Sequence, residues 1–224
     1  MNIILTPVYK SFDTVIGMCQ QIDALTELPY LHILIDDDSG ENIPIAPSDA
    51  RRILQIRRDV PGVIHKNGGG QAIQLGLDYS RQSYCNEGLN QPIDHVFVIE
   101  SDVIVQEQGW DRKQIEISKT LPSNWGTLDV QSVDEEGKVT YPCTVSPRHD
   151  EWSDPDFEWL HYPDFQCTLF NGVALDIQKF SDYPSHFDVL FGRVMERHGL
   201  KAYRSKQLKA LHVKGGFNSR QFLK

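Results

Sequence analysis

Short unbroken apolar runs alternate with helical-period stretches through the first half of the chain, and each run ends in polar residues. Asn2-Ile3-Ile4-Leu5 closes on Thr6-Pro7, Leu31-His32-Ile33-Leu34-Ile35 runs into Asp36-Asp37-Asp38-Ser39-Gly40, and His95-Val96-Phe97-Val98-Ile99 runs into Glu100-Ser101-Asp102. Runs of this length without alternation predict strands buried on both faces. Between them Val15, Ile16, Met18, Cys19, Ile22 and Leu25 recur at helical spacing, with Ser11 or Asp13 as cap and Pro29 as stop. A weaker α/β unit spans about Ser48 to His65, and Gly68-Gly69-Gly70 opens a helix carrying Ala72, Ile73, Leu75, Leu77 and Tyr79. Strand and helix in alternation predict a mostly parallel sheet with helices on both faces.

The pattern changes beyond about residue 120. Leu128 to Tyr141 reads as a hairpin turning at Glu135-Glu136-Gly137, and Pro142 to Pro163 has no clean period. Order returns over Thr168 to Leu175, followed by a helix from about His186 to His198 and two short strands, around Lys201-Tyr203 and Lys209-Val213. No repeat or linker interrupts this. The reading is one domain over 1–224, with a first half over about 1–120 and a second half and tail over about 121–224.

Composition narrows the partners. With 22 Lys plus Arg against 31 Asp plus Glu, the formal charge is −9, which disfavours broad adhesion to nucleic acid or anionic lipid. Its 40% hydrophobic content supports a core of ordinary size. The four cysteines form no C-x-x-C pair, which argues against a zinc ribbon and fits reduced thiols. No window approaches the ~20 apolar residues that cross a bilayer, and Met1 to Tyr9 lacks the apolar stretch of a signal peptide. The expectation is a protein without a transmembrane segment, placed in the cytoplasm.

In parallel sheets ligands bind outside the carboxyl ends of the strands. Here three such ends are polar: Thr6 to Tyr9, Asp36 to Ser39, and Glu100 to Asp102. Glu100 and Asp102, spaced i, i+2, suit a hard cation, Mn²⁺ or Mg²⁺, that also takes phosphate oxygens. Taken alone, such a turn is more often a solvated loop. The Asp36–Ser39 carboxylates suit a nucleobase N–H or sugar hydroxyls, or form an ordinary turn. Lys66-Asn67-Gly68-Gly69-Gly70 allows backbone N–H groups to approach an anion, yet lacks the Gly-Lys-Ser/Thr ending of a P-loop.

The order of these motifs resembles the family 2 glycosyltransferases, inverting enzymes of the GT-A fold. The matching pieces are Thr6-Pro7-Val8-Tyr9, Ile35-Asp36-Asp37-Asp38-Ser39, Asn67-Gly68-Gly69-Gly70-Gln71-Ala72 with Gly76-Leu77, and Ile99-Glu100-Ser101-Asp102-Val103 at the D-x-D position. The resemblance implies a Rossmann-like α/β sheet and a small antiparallel acceptor-side section. It places Pro7, Tyr9 and Asp37 around the nucleoside, with Lys66 and Asn67 near the ribose or diphosphate. Asp102 takes the place of the metal ligand. Glu100 replaces the first Asp of D-x-D, leaving its contact open between metal and ribose, and Asp38 replaces the Gly of D-D-G-S.

Further along, Phe170-Asn171-Gly172-Val173-Ala174-Leu175 with Phe180 resembles the family's acceptor-side glycine segment. His186-Phe187-Asp188 stands where the family carries Glu-Asp before an Arg-containing helix, which makes Asp188 the candidate catalytic base, with Asp182 and Asp164 as fallbacks. The competing view of Asp188 is a carboxylate placed at a helix N-terminus. Leu211-His212-Val213-Lys214-Gly215-Gly216 resembles the family's H-x-x-G-G close, in which His212 completes the metal shell and Lys214 and Arg220 offset diphosphate charge. Trp152, Trp159 and Tyr162 either stack on sugar faces or cover the core.

The implied reaction transfers a sugar from a nucleoside diphosphate, UDP favoured, to the hydroxyl of a glycan, lipid-linked or other acceptor. Three alternatives stand beside it. A phage-type enzyme glycosylating hydroxymethylated DNA bases fits the size, though the charge of −9 weighs against DNA. A sugar-nucleotide pyrophosphorylase would carry a Gly-rich basic loop where this chain has Thr6-Pro7-Val8-Tyr9. A non-catalytic GT-A-like binding module would tolerate loss of Asp188.

Overall fold

The computed structural model describes residues 1–56, 68–86, 92–140, 154–183 and 186–213. Strand β1 (Asn2–Val8) lies between two parallel neighbours, β2 (Tyr30–Asp37) and β4 (His95–Ile99), and β3 (Arg51–Ile56) extends the sheet beyond β2. These strands carry unbroken apolar runs because helices cover both faces. Ile4, Val8, Leu34, Phe97 and Ile99 face α1 (Phe12–Leu25) and Trp110 of α3 (Trp110–Ser118). Ile3, Leu5, Ile33, Ile35, Val96 and Val98 face α2 (Gly68–Asn86) and α5 (Phe187–Arg197). Gly76 brings α2 close to the sheet: a Cβ there would stand 2.8 Å from Leu5 Cδ2 and 3.1 Å from Ile35 Cδ1.

Several local expectations are corrected. Pro7 does not end β1, which continues to Val8, since Pro7 pairs opposite Ile35 within the ladder. Ser11 holds the N-cap position of α1 without capping it, because its hydroxyl donates to the Tyr9 carbonyl. The helix ends at Leu25, ahead of Pro29.

The second half continues the same sheet with mixed polarity. Beyond β4 the order continues with β8 (Cys167–Phe170), β6 (Trp125–Val133), β9 (Lys201–His212) and β5 (Val103–Val105), with β7 (Phe157–Leu160) also on β9. Here β8 runs antiparallel to both β4 and β6, and β9 is parallel to β6. The expected hairpin is short in the described residues: the Asp134 N–H donates to the Lys138 carbonyl at 2.8 Å and the Thr140 N–H to the Ser132 carbonyl at 3.0 Å. Asp134 Oδ1 accepts from the Glu136 and Lys138 N–H groups, and Val133 bridges to Val139. The two expected terminal strands are one strand, β9, whose register against β6 shifts between Val130 and Gln131. Helix α4 (Gly172–Asp176) follows β8, and Asn171 caps it by accepting from the Val173 N–H. Because Phe170 pairs with Val96 and Cys167 with Ile99, Asn171-Gly172 lies at the opposite end of the sheet from Glu100. The acceptor-side role expected of that segment is not supported by its place.

Candidate metal and donor site

The carboxyl ends of β1, β2 and β4 form one rim, and backbone strain collects there. Among the described residues, the non-glycine ones with left-handed backbone are Lys10 (φ 54°), Asp38 (φ 58°), Phe165 (φ 60°) and His186 (φ 45°). They follow β1, follow β2, precede β8 and precede α5 respectively. Such conformations persist where the surroundings impose them, and they gather at functional sites.

At the centre of the rim, β4 ends at Ile99 and the chain reverses within Glu100-Ser101-Asp102, with the Val103 N–H donating to the Glu100 carbonyl at 3.1 Å. The short strand β5 (Val103–Val105) then runs antiparallel to the end of β9, which sets Val103 opposite His212. The Val213 N–H donates to the Asp102 carbonyl at 2.9 Å, and His212 Nε2 stands 3.4 Å from Asp102 Oδ2. Glu100, Asp102 and His212 each offer a ligand atom, all within 4.8 Å of one another. Two hard oxygens and an imidazole fit Mn²⁺, which accepts nitrogen ligands more readily than Mg²⁺.

The electrostatics also call for a cation. Burial pushes the Glu100 carboxyl well above its usual range, and the charges of Asp102, Asp188, Asp164 and Asp129 push it further the same way. The field thus includes the candidate base Asp188, in the first turn of α5, and the fallback Asp164; Asp182, exposed in the turn Phe180–Asp182, is absent from it. Phe187 fixes the start of α5 against Phe165 at 4.9 Å between ring centroids. It also approaches α2, where a Cβ on Gly69 would stand 2.9 Å from the Phe187 ring. That contact gives one glycine of the Gly-rich segment a packing reason.

Sequence reasoning missed the charged row behind the rim. Asp129 of β6 accepts from the Thr168 hydroxyl on β8, and it pairs across the sheet with Arg204 of β9. Arg204 reaches Asp164 at 3.0 Å on one side and Glu158 of β7 at 2.5 Å on the other. Burial and the Asp164 charge raise the Asp129 carboxyl well above its normal range. Polar residues alternating with Leu128 and Val130, or with Tyr203, read in sequence as a solvated strand face. Partners distant in sequence are what close over it: Glu158 on β7, Thr168 on β8, and Asp164.

On the donor side, Asp36, Asp37, Asp38 and Ser39 are all buried. Asp36 Oδ1 accepts from the Ser39 N–H at 3.0 Å, and the Lys10 N–H donates to Ser39 Oγ at 3.1 Å, so the loops after β1 and β2 are tied together. Half-buried Pro7 and Tyr9 flank this tie, and the Lys10 ammonium lies 5.1 Å from the Tyr9 ring centroid. Asp37 ends the strand two places from β4, about 10 Å away at the usual strand spacing. That span leaves room for a ribose between a base and a metal-bound diphosphate. Lys66, Asn67, Lys214, Arg220 and Trp152 lie outside the described residues. Trp159 is far from Glu100, packed under the Lys201 ammonium at 3.9 Å, and the Tyr162 backbone lies against Gly192.

No protein-family model matches the chain, and no curated protein sequence matches it. Solved structures do. S. aureus TarS 1-349 in complex with UDP-GlcNAc superposes with a TM-score of 0.64 at 11% identity, over 100% of this chain and 61% of that one. The mannosyltransferase PcManGT from Pyrobaculum calidifontis, in complex with GDP-Man and Mn²⁺, gives 0.61 at 10% identity, over 98% and 57%. GalNAc-T7 with UDP, GalNAc and Mn²⁺ gives 0.61 at 9% identity, over 95% and 44%. The chain therefore spans between 44% and 61% of the length of these proteins. What is shared is the fold, a mixed α/β architecture of the GT-A glycosyltransferase type.

Proposed function

We propose that this chain is a metal-dependent glycosyltransferase of the family 2 kind, moving a sugar from a nucleoside diphosphate to an acceptor hydroxyl. The observation that carries the reading is the Glu100–Asp102–His212 cluster, three ligand atoms within 4.8 Å at the carboxyl end of a central strand. In the structural neighbours of this fold, the ligands named are UDP-GlcNAc, GDP-Man with Mn²⁺, and UDP with GalNAc and Mn²⁺.

Asp102 and His212 would hold the ion, and Glu100 would join them from the other side of the turn. When bound, a divalent ion supplies Lewis-acid neutralisation of the leaving diphosphate. Pro7, Tyr9 and Asp37 would bound the nucleoside, with the tied loops of Lys10 and Ser39 forming its floor. Lys66 and Asn67 would meet ribose or diphosphate, and Lys214 and Arg220 would close over it. The 1–120 portion would thus bind donor, and the 121–224 portion would meet the acceptor.

Asp188 would take the acceptor proton. Its carboxylate falls within the field on Glu100 and stands on a helix whose start is braced by Phe165 and Phe187. A base on the acceptor side, opposite the leaving diphosphate, fits an inverting displacement. The family resemblance makes UDP-sugars the first donors to assay.

The test is a thermal-shift panel of UDP- and GDP-sugars with and without Mn²⁺. A metal-dependent rise in melting temperature that EDTA removes supports the reading. No shift with any nucleoside diphosphate sinks it.

A further inference from the structure

We infer that Arg204 is a positioning residue for this site, acting through the Asp164-Phe165-Gln166 segment to hold the metal-binding turn and the start of α5 in register. The inference rests on the glycosyl-transfer reading above. Arg204 and Asp164 are each 1% exposed at the side chain and lie 3.0 Å apart, so the clasp is closed to water. A buried charge pair of this kind is poor evidence for stability, since apolar residues often do as well there. It is good at fixing one geometry, because the planar guanidinium meets two carboxylates at set angles.

What the clasp fixes is unusual. Directly after Asp164, Phe165 is held in the left-handed region at φ 60°, a conformation that a bulky aromatic residue adopts only under constraint. The Phe165 ring then meets Phe187 at 4.9 Å, next to Asp188. One residue further, the Gln166 carbonyl accepts the Glu100 N–H at 3.1 Å, which sets the backbone where β4 gives way to the metal-binding turn. A three-residue strut therefore joins the turn that carries the metal ligands to the helix that carries the candidate base. Arg204 anchors its near end. The guanidinium's other arm, to Glu158, reaches β7, away from Glu100.

The two arms make the inference testable, with Mn²⁺ affinity as a readout that needs no turnover. Arg204→Lys keeps the positive charge, so the electrostatics at the metal are retained, but it loses the fork. Mn²⁺ should bind about tenfold more weakly, and kcat should fall with little change in donor KM. Two further charge-preserving variants each move one arm by a single methylene. Asp164→Glu should weaken Mn²⁺ by a similar factor, whereas Glu158→Asp should leave its affinity within twofold of wild type. If Arg204→Lys does not fold, the Asp164→Glu and Glu158→Asp pair decides alone. Equal Mn²⁺ affinity in wild type and Asp164→Glu, or an equal loss in Glu158→Asp, overturns the positioning role. Wild-type protein that binds no Mn²⁺ overturns instead the reading on which it rests.

Discussion

The two halves of the sheet bury their charge in opposite ways. In the parallel half, His32 is fully buried beside Arg51, whose Nε donates to His32 Nδ1 at 3.4 Å, leaving Nε2 facing Thr6 Oγ1 at 3.1 Å. Arg51 leads outward to Asp23, whose side chain is 49% exposed. The mixed half gathers Asp129, Asp164 and Glu158 around Arg204, and its field falls on Glu100. One arrangement hands its charge to a carboxylate at the surface. The other leaves surplus negative charge pointing at the rim, where a cation is useful.

The largest expected effect tests that surplus directly. Asp102→Ala removes a ligand from the cluster and should lower turnover by about ten-thousandfold, from the several kcal/mol a Lewis-acid metal contributes. The Mn²⁺-dependent thermal shift should vanish with it. A variant that keeps both would detach the rim from metal chemistry. Next, Asp188→Asn should lower kcat by about a thousandfold, within the usual general-base range of 10²–10⁴. Its donor affinity, measured by calorimetry, should stay near wild type. Full residual turnover would take the base role away from Asp188.

The pH dependence of stability separates the halves by sign. Burial, then Arg51, depresses the His32 pKa from 6.5 to about 3. The unfolded chain therefore binds a proton below pH 6.5 that the folded chain refuses. Stability from this group is complete above pH 6.5 and falls by about 1.4 kcal/mol per pH unit toward pH 3. His32→Gln should flatten that slope in urea melts from pH 7 to pH 4. Asp129 works the other way: its pKa is raised above 3.8, so its contribution is complete below that value and is lost as pH rises. Asp129→Asn should be more stable than wild type at pH 8, with the gain fading toward pH 4. The same slope in both variants would erase the contrast.

The same division decides what could be read from the sequence. The parallel half was legible because its strands are contiguous apolar runs and its chemistry follows each strand end in sequence, as with Ile99-Glu100-Ser101-Asp102. His212 was legible only through ordered context, and the structure brings it within 3.4 Å of Asp102. In the mixed half the partners are distant in sequence, so no local pattern joins Asp129 to Thr168 or Arg204 to Asp164. Helix α3 went unread because Arg112, Lys113 and Glu116 break up the apolar signal of Trp110 and Ile115. Strand β9 was split in two because its register shift interrupts the alternation. Phe170-Asn171-Gly172 misled because a matching motif carries no information on strand direction, and β8 runs antiparallel.

The smallest expected effect compares how tightly the halves are packed. In α2, Gly76→Ala should gain about 1 kcal/mol of helix propensity. Its new Cβ, however, would stand 2.8 Å from Leu5 Cδ2 and 3.1 Å from Ile35 Cδ1, two branched side chains fully buried in the parallel sheet. Overpacking of that kind costs about 1–3 kcal/mol, so the net loss should be about 1 kcal/mol. In the mixed half, a Cβ at Gly126 would meet Met195 Cε at 2.6 Å and Leu200 Cβ at 3.2 Å. The nearer obstacle is the free end of an unbranched thioether, which can turn aside, while Leu200 must yield only a few tenths of an ångström. Gly126→Ala should therefore stay within about 0.5 kcal/mol of wild type, since Ala also loses less backbone entropy than Gly on folding. Urea titration of both variants checks the order. A larger loss at Gly126 would mean that the mixed half, with its buried charge row, is the more rigidly packed of the two.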